Sequence, residues 1–335
     1  MLRSGLLAAT VALILAAPGC GGGGGEDTPA DPVGQVPSGL REPVRAARDP
    51  QPSDFPATSG KTLQALADEI GGGPEVGLAS SVFVAGRENR VAFGVIDQDA
   101  GFLYGKTALY VARSPKSPAQ GPYVAPADLL VTDPPYRSEQ AATESDPFAA
   151  VYAAQVPLRK PGRYALLAVT VVDGRPVAAS SEIEVVTPAR DKVPDVGERA
   201  PKVQTDTLAS AGGDAEAIDT RRPPSDMHAN FAEVLGSKPV ALLFATPQLC
   251  QSRVCGPVVD VALQLRARYG DDVEFIHQEV YTDNDPAQGL REPLQRFNLP
   301  TEPWLFVVGA DGAITARLEG SFGLDAIERA LKTAL

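Results

Sequence analysis

The chain has 335 residues, which is enough for about two domains of ordinary size after a short export segment. Hydrophobic residues make up 44% and charged residues 21%, a composition that excludes a disordered chain and a multi-span membrane protein. Because 42 acidic residues outweigh 30 basic ones, for a formal charge of -12, the composition argues against a nucleic-acid partner.

The first twenty residues have the layout of an export signal. A single cation, Arg3, precedes an apolar run from Leu6 to Ala17 that is too short to span a bilayer. Cys20 resembles the acylated cysteine of bacterial lipoproteins, although Ala17 stands where their signals usually carry leucine. The resemblance implies a lipid anchor on Cys20 and a location on the extracytoplasmic face of a bacterial cell membrane. An ordinary secretory signal is the alternative.

Residues 21–74 are predicted to form a tether that ends in a short helix. Glycines follow Cys20, and prolines then recur among polar residues as far as Pro56 without apolar periodicity, a pattern typical of an extended linker. A capped helix is predicted from Thr62 to Ile70. Such a tether would hold the folded part of the protein away from the membrane surface.

Residues 75–187 are predicted to form a β-sandwich of the immunoglobulin or fibronectin type. Short runs with β-branched and aromatic residues at period two recur, among them Val91 to Val95 and Arg163 to Val172. Asp173-Gly174 predicts a hairpin turn between two such runs. The region has no cysteine, no histidine and no recognisable catalytic set, so a structural spacer and a binding module are both open.

A polar connector over residues 188–225 leads to a region, 226–335, in which helical and strand-like segments alternate. Val240 to Ala245 and Trp304 to Val308 are apolar runs typical of buried strands, whereas Pro257 to Tyr269 carries apolar residues at helical spacing. The alternation predicts an α/β fold with helices on both faces of a sheet. The chain is therefore expected to be multidomain, with a β-sandwich followed by an α/β fold.

Cys250 and Cys255 are the candidate reactive pair. In an exported protein they are expected to be able to form a disulfide. Cys255 precedes Pro257 at the start of a predicted helix, where unpaired N–H groups and the helix dipole favour a thiolate, and Arg253 adds a cation. These features predict Cys255 as a low-pKa nucleophile and Cys250 as its resolving partner. A disulfide that staples the loop is the alternative, although closing so short a loop gains little chain entropy.

Residues 226–335 resemble a thioredoxin-fold domain. The resemblance rests on Leu242-Leu243-Phe244-Ala245 before the cysteines, on Cys255-Gly256-Pro257 opening a helix, and on Glu302-Pro303-Trp304 opening a strand. It implies a cis-proline beside the dithiol, and Pro303 occupies that position.

The chain also departs from the thioredoxin pattern. Four residues rather than two separate the cysteines, Val258 stands where the second cysteine is expected, and Leu243 replaces a frequent buried acid. A specialised thiol-disulfide exchanger, a redox sensor and a catalytically retired fold therefore all agree with the sequence.

Sco-type copper chaperones are a second family on this fold, and their two cysteines and distant histidine suit copper(I). His277 lies in a predicted strand, where a satisfied sheet histidine is favoured over a ligand. His228 is expected at the surface near a helix start. The sequence thus predicts neither a metal nor a cofactor.

Together these features predict a membrane-anchored extracytoplasmic thiol-disulfide exchange protein, a candidate oxidoreductase that acts on a protein thiol or disulfide partner. Its candidate catalytic residues are Cys255, Cys250 and Pro303, with Arg253 as modulator and Cys20 as the lipidation site. The alternatives are a non-enzymatic binding or assembly lipoprotein with a structural disulfide, and a copper chaperone of Sco type.

Overall fold

Three β-sheets organise the protein. The computed structural model describes residues 31–250 and 253–335, and residues 32–335 form one compact unit. The predicted export signal and its Cys20 lie outside the described residues. Within those residues, every helix is too short or too polar to span a bilayer.

Two of the sheets belong to the predicted β-sandwich region. Its strands are β1 Glu75–Leu78, β2 Phe83–Val84, β3 Arg87–Ile96, β4 Thr107–Ala112, β5 Gln120–Val124, β6 Ala127–Leu129, β7 Ala150–Leu158, β8 Gly162–Val172 and β9 Arg175–Val186. One sheet has the order β1-β3-β7-β6 and the other the order β2-β9-β8-β4-β5. Neighbouring strands are antiparallel except for the parallel pair β2 and β9.

Alternating side chains of the two sheets fill the space between them. In β3 every second residue from Val91 to Val95 enters this core, and in β8 every second residue from Tyr164 to Ala168 does so. This is the period of two that the sequence predicts for a half-buried strand. At the hairpin between β8 and β9, Asp173 and Gly174 have φ of 49° and 76°, as a primed turn requires. The region is therefore a β-sandwich, and its assignment to the immunoglobulin or fibronectin type stays a prediction.

The segment before the sandwich is packed rather than extended, so the prediction of a tether is wrong from Pro32 onward. A 3-10 helix at Pro32–Gln35 and helix α1, Arg41–Ala47, place Val33, Val36 and Val44 in the sandwich core. These apolar residues are spaced too irregularly to give a helical period, which is why the sequence pattern resembled a linker.

Helix α2, Leu63–Ile70, is the capped helix predicted from the sequence. The Thr62 side chain accepts a hydrogen bond from the Ala65 N–H at 3.1 Å. Leu63 and Leu66 pack on the outer face of the five-stranded sheet, so this helix covers that face.

The third sheet forms an α/β region. Its elements are α3 Phe231–Val234, β10 Val240–Phe244, α4 Cys255–Tyr269, β11 Glu274–Gln278, α5 Glu292–Arg296, β12 Trp304–Val308, β13 Ile314–Glu319 and α6 Leu324–Leu331. The strand order is β11-β10-β12-β13, with β10 and β11 parallel and the other pairs antiparallel. Helix α4 makes the crossover between the parallel strands. This order agrees with the thioredoxin-like arrangement that the sequence resemblance implied.

The sandwich packs directly on the α/β region. Ala92 and Val151, on the outer face of the four-stranded sheet, share a core with Phe322 and Ile327. The Asp128 carboxylate in β6 accepts hydrogen bonds from the backbone N–H groups at the start of α6, at 2.8 to 3.2 Å. A sandwich residue therefore caps a helix of the other region.

The segment 188–225, predicted to be a polar connector, contains a fully buried arginine. Arg221 is 2% exposed, and its Nε donates to Asp260 in α4 at 2.7 Å. Its Nη2 donates to the carbonyl of Tyr136 in the sandwich, also at 2.7 Å. Arg221 therefore joins the connector to both regions, which the sequence did not predict because an arginine in a proline-rich stretch is usually exposed. The predicted boundaries of the two domains stay predictions.

Candidate functional site

The two candidate cysteines lie between the end of β10 and the start of α4. The Cys250 N–H donates to the Thr246 carbonyl at 3.1 Å, and Cys255 is the first residue of the helix. Residues 251 and 252, between them, lie outside the described residues. Both cysteines are present as thiols, and a hydrogen bond joins their side chains. The structure therefore brings together the pair that the sequence singled out.

Cys255 is the buried member of this pair. Its exposed fraction is 0%, whereas Cys250 is partly exposed. Burial, followed by the interactions with Cys250, raises the pKa of the Cys255 thiol well above its usual range. The prediction of Cys255 as a low-pKa nucleophile is therefore wrong, because desolvation outweighs the influence of the helix N-terminus there. Cys250 is the accessible thiol.

Arg253, the predicted modulator, pairs with a sandwich residue. Its guanidinium forms an exposed ion pair with the carboxylate of Asp146. The backbone of Arg253 has φ of 61°, in the left-handed region, and turns the chain into α4. Arg253 thus links the cysteine loop to the sandwich.

The predicted cis-proline is present beside two further titratable groups. The Glu302–Pro303 peptide bond is cis and lies immediately before β12. Burial, followed by Cys250 and Glu279, raises the pKa of Glu302. Burial also raises the pKa of Tyr281, and Glu302 and both cysteines raise it further. Glu302 and Tyr281 thus belong to the surroundings of the dithiol, although their placement depends on strand pairing that the sequence pattern does not reveal.

A segment of the sandwich forms one side of a cavity beside Cys250. This wall segment, residues 139–148, faces Pro247, Cys250 and Arg253 across a cavity of about 480 Å³. Gln140 packs so closely on Gly256 that a Cβ atom at position 256 would lie 2.5 Å from the Cβ of Gln140. No sequence pattern indicates this contact, because it joins two regions that lie far apart along the chain.

A buried ion pair lies next to the end of β10. The Asp219 Oδ2 atom lies 3.2 Å from His228 Nε2. It also lies 3.2 Å from His277 Nδ1, and this second contact is an ion pair whose geometry is not that of a hydrogen bond. His277 Nε2–H donates to the Ala245 carbonyl at 3.0 Å. Burial lowers the pKa of His277, but the Asp219 charge outweighs it and raises the value to about 9. His228 is buried here, so its predicted surface position is wrong.

The same cluster brings together three potential metal ligands. Asp219, His277 and Glu279 each place one donor atom within 4.8 Å of the others. However, Asp219 already accepts a hydrogen bond from the Ser225 N–H at 2.7 Å, and Glu279 accepts two from Thr220 at 2.9 Å. We therefore interpret the cluster as an ion-pair network that holds the connector against β11.

Comparisons with known proteins give limited similarity. No family model matches the chain, and no curated protein matches it. A putative thiol:disulfide interchange protein DsbE from Chlorobium tepidum is 14% identical over 42% of this chain and 98% of that one, with a TM-score of 0.30. A thioredoxin-family thiol:disulfide interchange protein from Chlorobium tepidum TLS is 16% identical over 42% and 97%, with a TM-score of 0.30.

A PKD domain is another solved structure to which the chain has limited similarity. The PKD domain of the human VPS10 domain-containing receptor SorCS2 is 16% identical over 36% of this chain and 76% of that one, with a TM-score of 0.17. Each of these three similarities covers less than half of the chain, and none establishes a function for it.

Proposed function

We propose that this protein is a thiol-disulfide exchange protein whose reactive dithiol is formed by Cys250 and Cys255. The observation that carries the proposal is the different exposure of the two cysteines. Cys250 lines a cavity, whereas Cys255 is buried and its side chain contacts Cys250. An accessible thiol with a sheltered partner suits attack by the first and resolution by the second.

In the proposed reaction, the Cys250 thiolate attacks one sulfur of a partner disulfide. A bond forms between Cys250 Sγ and that sulfur, the partner S–S bond breaks, and one partner thiolate leaves and takes up a proton. Cys255 then loses its proton and attacks Cys250 Sγ, which forms the internal disulfide and releases the second partner thiolate. The partner is reduced by two electrons and the protein is oxidised by two.

Glu302 is the proposed proton acceptor for Cys255. Its carboxyl has a raised pKa, and its charge is among the causes that raise the pKa of Cys255. A carboxyl with a raised pKa beside a buried thiol is suited to take up the proton when Cys255 attacks. It would take the place of the buried acid that Leu243 does not supply.

A trapping experiment tests the proposed function. The full-length Cys255→Ser protein is mixed with glutathione disulfide or with insulin and analysed by mass spectrometry without reductant. The proposal predicts a stable mixed disulfide on the peptide that contains Cys250, and none on Cys255 in the matched Cys250→Ser protein, where this thiol is buried. Absence of an adduct on Cys250 would overturn the proposal and favour a binding or assembly protein with a structural disulfide.

We also propose that a lipid on Cys20 anchors the protein to the extracytoplasmic face of a bacterial membrane, where it meets a protein thiol or disulfide partner. The support is the sequence pattern around Cys20. Incorporation of radioactive palmitate into the wild-type protein, lost in Cys20→Ala, is the expected result. Equal labelling of the two would contradict the anchor.

A further inference from the structure

The cavity beside Cys250 has the size of a small-molecule site. Its volume of about 480 Å³ falls in the range of roughly 300–1,000 Å³ that is usual for such sites. A folded protein partner would instead require an open surface of roughly 800 Å² on each side of the contact. The wall segment occupies part of the space around Cys250 that such a partner would need.

The wall segment is held firmly in place. Just before it, the N–H and hydroxyl of Ser138 both donate to Asp260 in α4 at 2.9 Å. Near its end, the ring of Phe148 packs on Phe102 with their centroids 4.6 Å apart. These contacts, together with the ion pair between Arg253 and Asp146, hold both ends of the wall segment. The wall segment is therefore a fixed part of the site.

Gln140 lines the cavity and carries an acceptor that no described residue uses. Its Oε1 atom is buried and has no hydrogen-bond partner among the described residues. A buried acceptor without a partner is destabilising, and an incoming N–H group would satisfy it. Arg253 and Asp146 add charges of both signs to the lining. The cavity therefore suits a ligand with N–H donors and charged groups of both signs.

We infer that the wall segment is the specificity element of the dithiol and selects low-molecular-weight thiols and disulfides of the amino-acid or short-peptide type. This inference rests on the proposed function and narrows its partner from any disulfide to a small one. It also gives the sandwich a role, since the sandwich supplies the wall.

The reaction with such a ligand is balanced in the same way as above. Cys250 Sγ bonds to one sulfur of the small disulfide, whose S–S bond breaks and releases one small thiol. Attack by Cys255 on Cys250 Sγ releases the second small thiol and leaves the protein disulfide. The reverse sequence oxidises two small thiols and reduces the protein.

The test compares two disulfides with the full-length Cys255→Ser protein. Rates of mixed-disulfide formation on Cys250 are measured with glutathione disulfide and with insulin, and each is divided by the rate of free glutathione with the same disulfide. The inference predicts a normalised rate at least about ten-fold higher for glutathione disulfide, because the wall obstructs insulin. Equal normalised rates would overturn it.

Two variants made in that protein locate the effect in the cavity. Ala141→Trp fills the cavity and is expected to slow the reaction with glutathione disulfide by at least about ten-fold, whereas Ala189→Trp, on an exposed site outside the lining, leaves it unchanged. Gln140→Met removes the acceptor and is expected to slow the same reaction by about ten-fold. Alkylation of Cys250 by iodoacetamide should stay within about two-fold in Gln140→Met, since the thiol itself is untouched.

The outcomes separate the inference from the proposed function. Wild-type rates with glutathione disulfide in both cavity variants would overturn the wall as specificity element while leaving thiol exchange intact. Should Ala141→Trp fail to fold, as its circular dichroism would reveal, Gln140→Met alone decides. Absence of an adduct on Cys250 with either disulfide would overturn the proposed function and the inference together.

Discussion

Gln140 of the sandwich packs directly on Gly256, one residue after the buried Cys255. A Cβ atom at position 256 would lie 2.5 Å from the Cβ of Gln140, closer than two such atoms approach in real structures. The start of α4 therefore depends on glycine for its contact with the wall segment, one residue after the buried Cys255.

The Gly256→Ala variant is expected to displace the wall segment. Alanine favours a helix by about 1 kcal/mol over glycine, but the overlap with Gln140 costs about 1–3 kcal/mol, so the free energy of unfolding should fall or barely change. The displaced wall should increase alkylation of Cys250 by a bulky maleimide several-fold. Gly39→Ala is the control, since a Cβ there meets nothing within 4 Å. Unchanged alkylation in Gly256→Ala would show that the wall does not limit access.

The buried position of Cys255 predicts slow alkylation. In the Cys250→Ser protein, iodoacetamide should modify Cys255 at least about ten-fold more slowly in the native state than in urea at about pH 8, because burial raises the pKa of this thiol and hides it. Cys250 in the Cys255→Ser protein should react much faster in the native state. Rapid alkylation of Cys255 in the native protein at neutral pH would contradict this prediction and identify Cys255, rather than Cys250, as the nucleophile.

Arg221→Met tests the buried junction between the connector, α4 and the sandwich. The substitution leaves the Asp260 carboxylate buried without its cation, so the free energy of unfolding should fall by about 3–5 kcal/mol in urea titrations. Arg190→Met, at an exposed position, should change it by less than about 0.5 kcal/mol. The double variant with Asp260→Leu should recover part of the loss. A loss below about 1 kcal/mol in Arg221→Met would show that this ion pair does not hold the regions together.

The ion pair of His277 and Asp219 predicts a pH dependence of stability. The pKa of His277 is about 9 in the folded protein and 6.5 in the unfolded chain, so the folded state binds more protons between these values. The stabilisation is complete below about pH 6.5 and is lost as pH rises through about 9, on the order of 3 kcal/mol in total. Urea unfolding of wild type and His277→Gln across this window measures the difference.

An NMR titration of the His277 ring in the wild-type protein checks the same claim without a substitution. A pKa near 9 is expected. A value at or below 6.5, or a stability difference that is flat with pH, would contradict the ion pair.

The features that the sequence predicted well are those set by neighbouring residues. The alternation along β8, the Asp173-Gly174 turn and the Thr62 cap each depend on a few consecutive positions, and the structure contains all three. The cis bond at Pro303 followed from a family resemblance rather than from spacing.

The features that the sequence missed depend on contacts between distant parts of the chain. Cys255 stands at a helix N-terminus, as predicted, but its pKa is decided by burial, which no local pattern shows. Val33 and Val44 lie in a stretch whose sequence pattern is typical of a linker, yet both pack in the core of the sandwich. Gln140 has no distinguishing pattern at all, and it becomes notable only because the sandwich packs against Gly256.

The reduction potential of the Cys250 and Cys255 pair tests the central claim most directly. The full-length protein is equilibrated in glutathione buffers of stepped ratio, its thiols are alkylated, and the oxidised fraction is measured by mass spectrometry. The account predicts a potential above about -250 mV, as for a dithiol that exchanges readily. A potential below about -300 mV would identify a structural disulfide and contradict the proposed thiol-disulfide exchange.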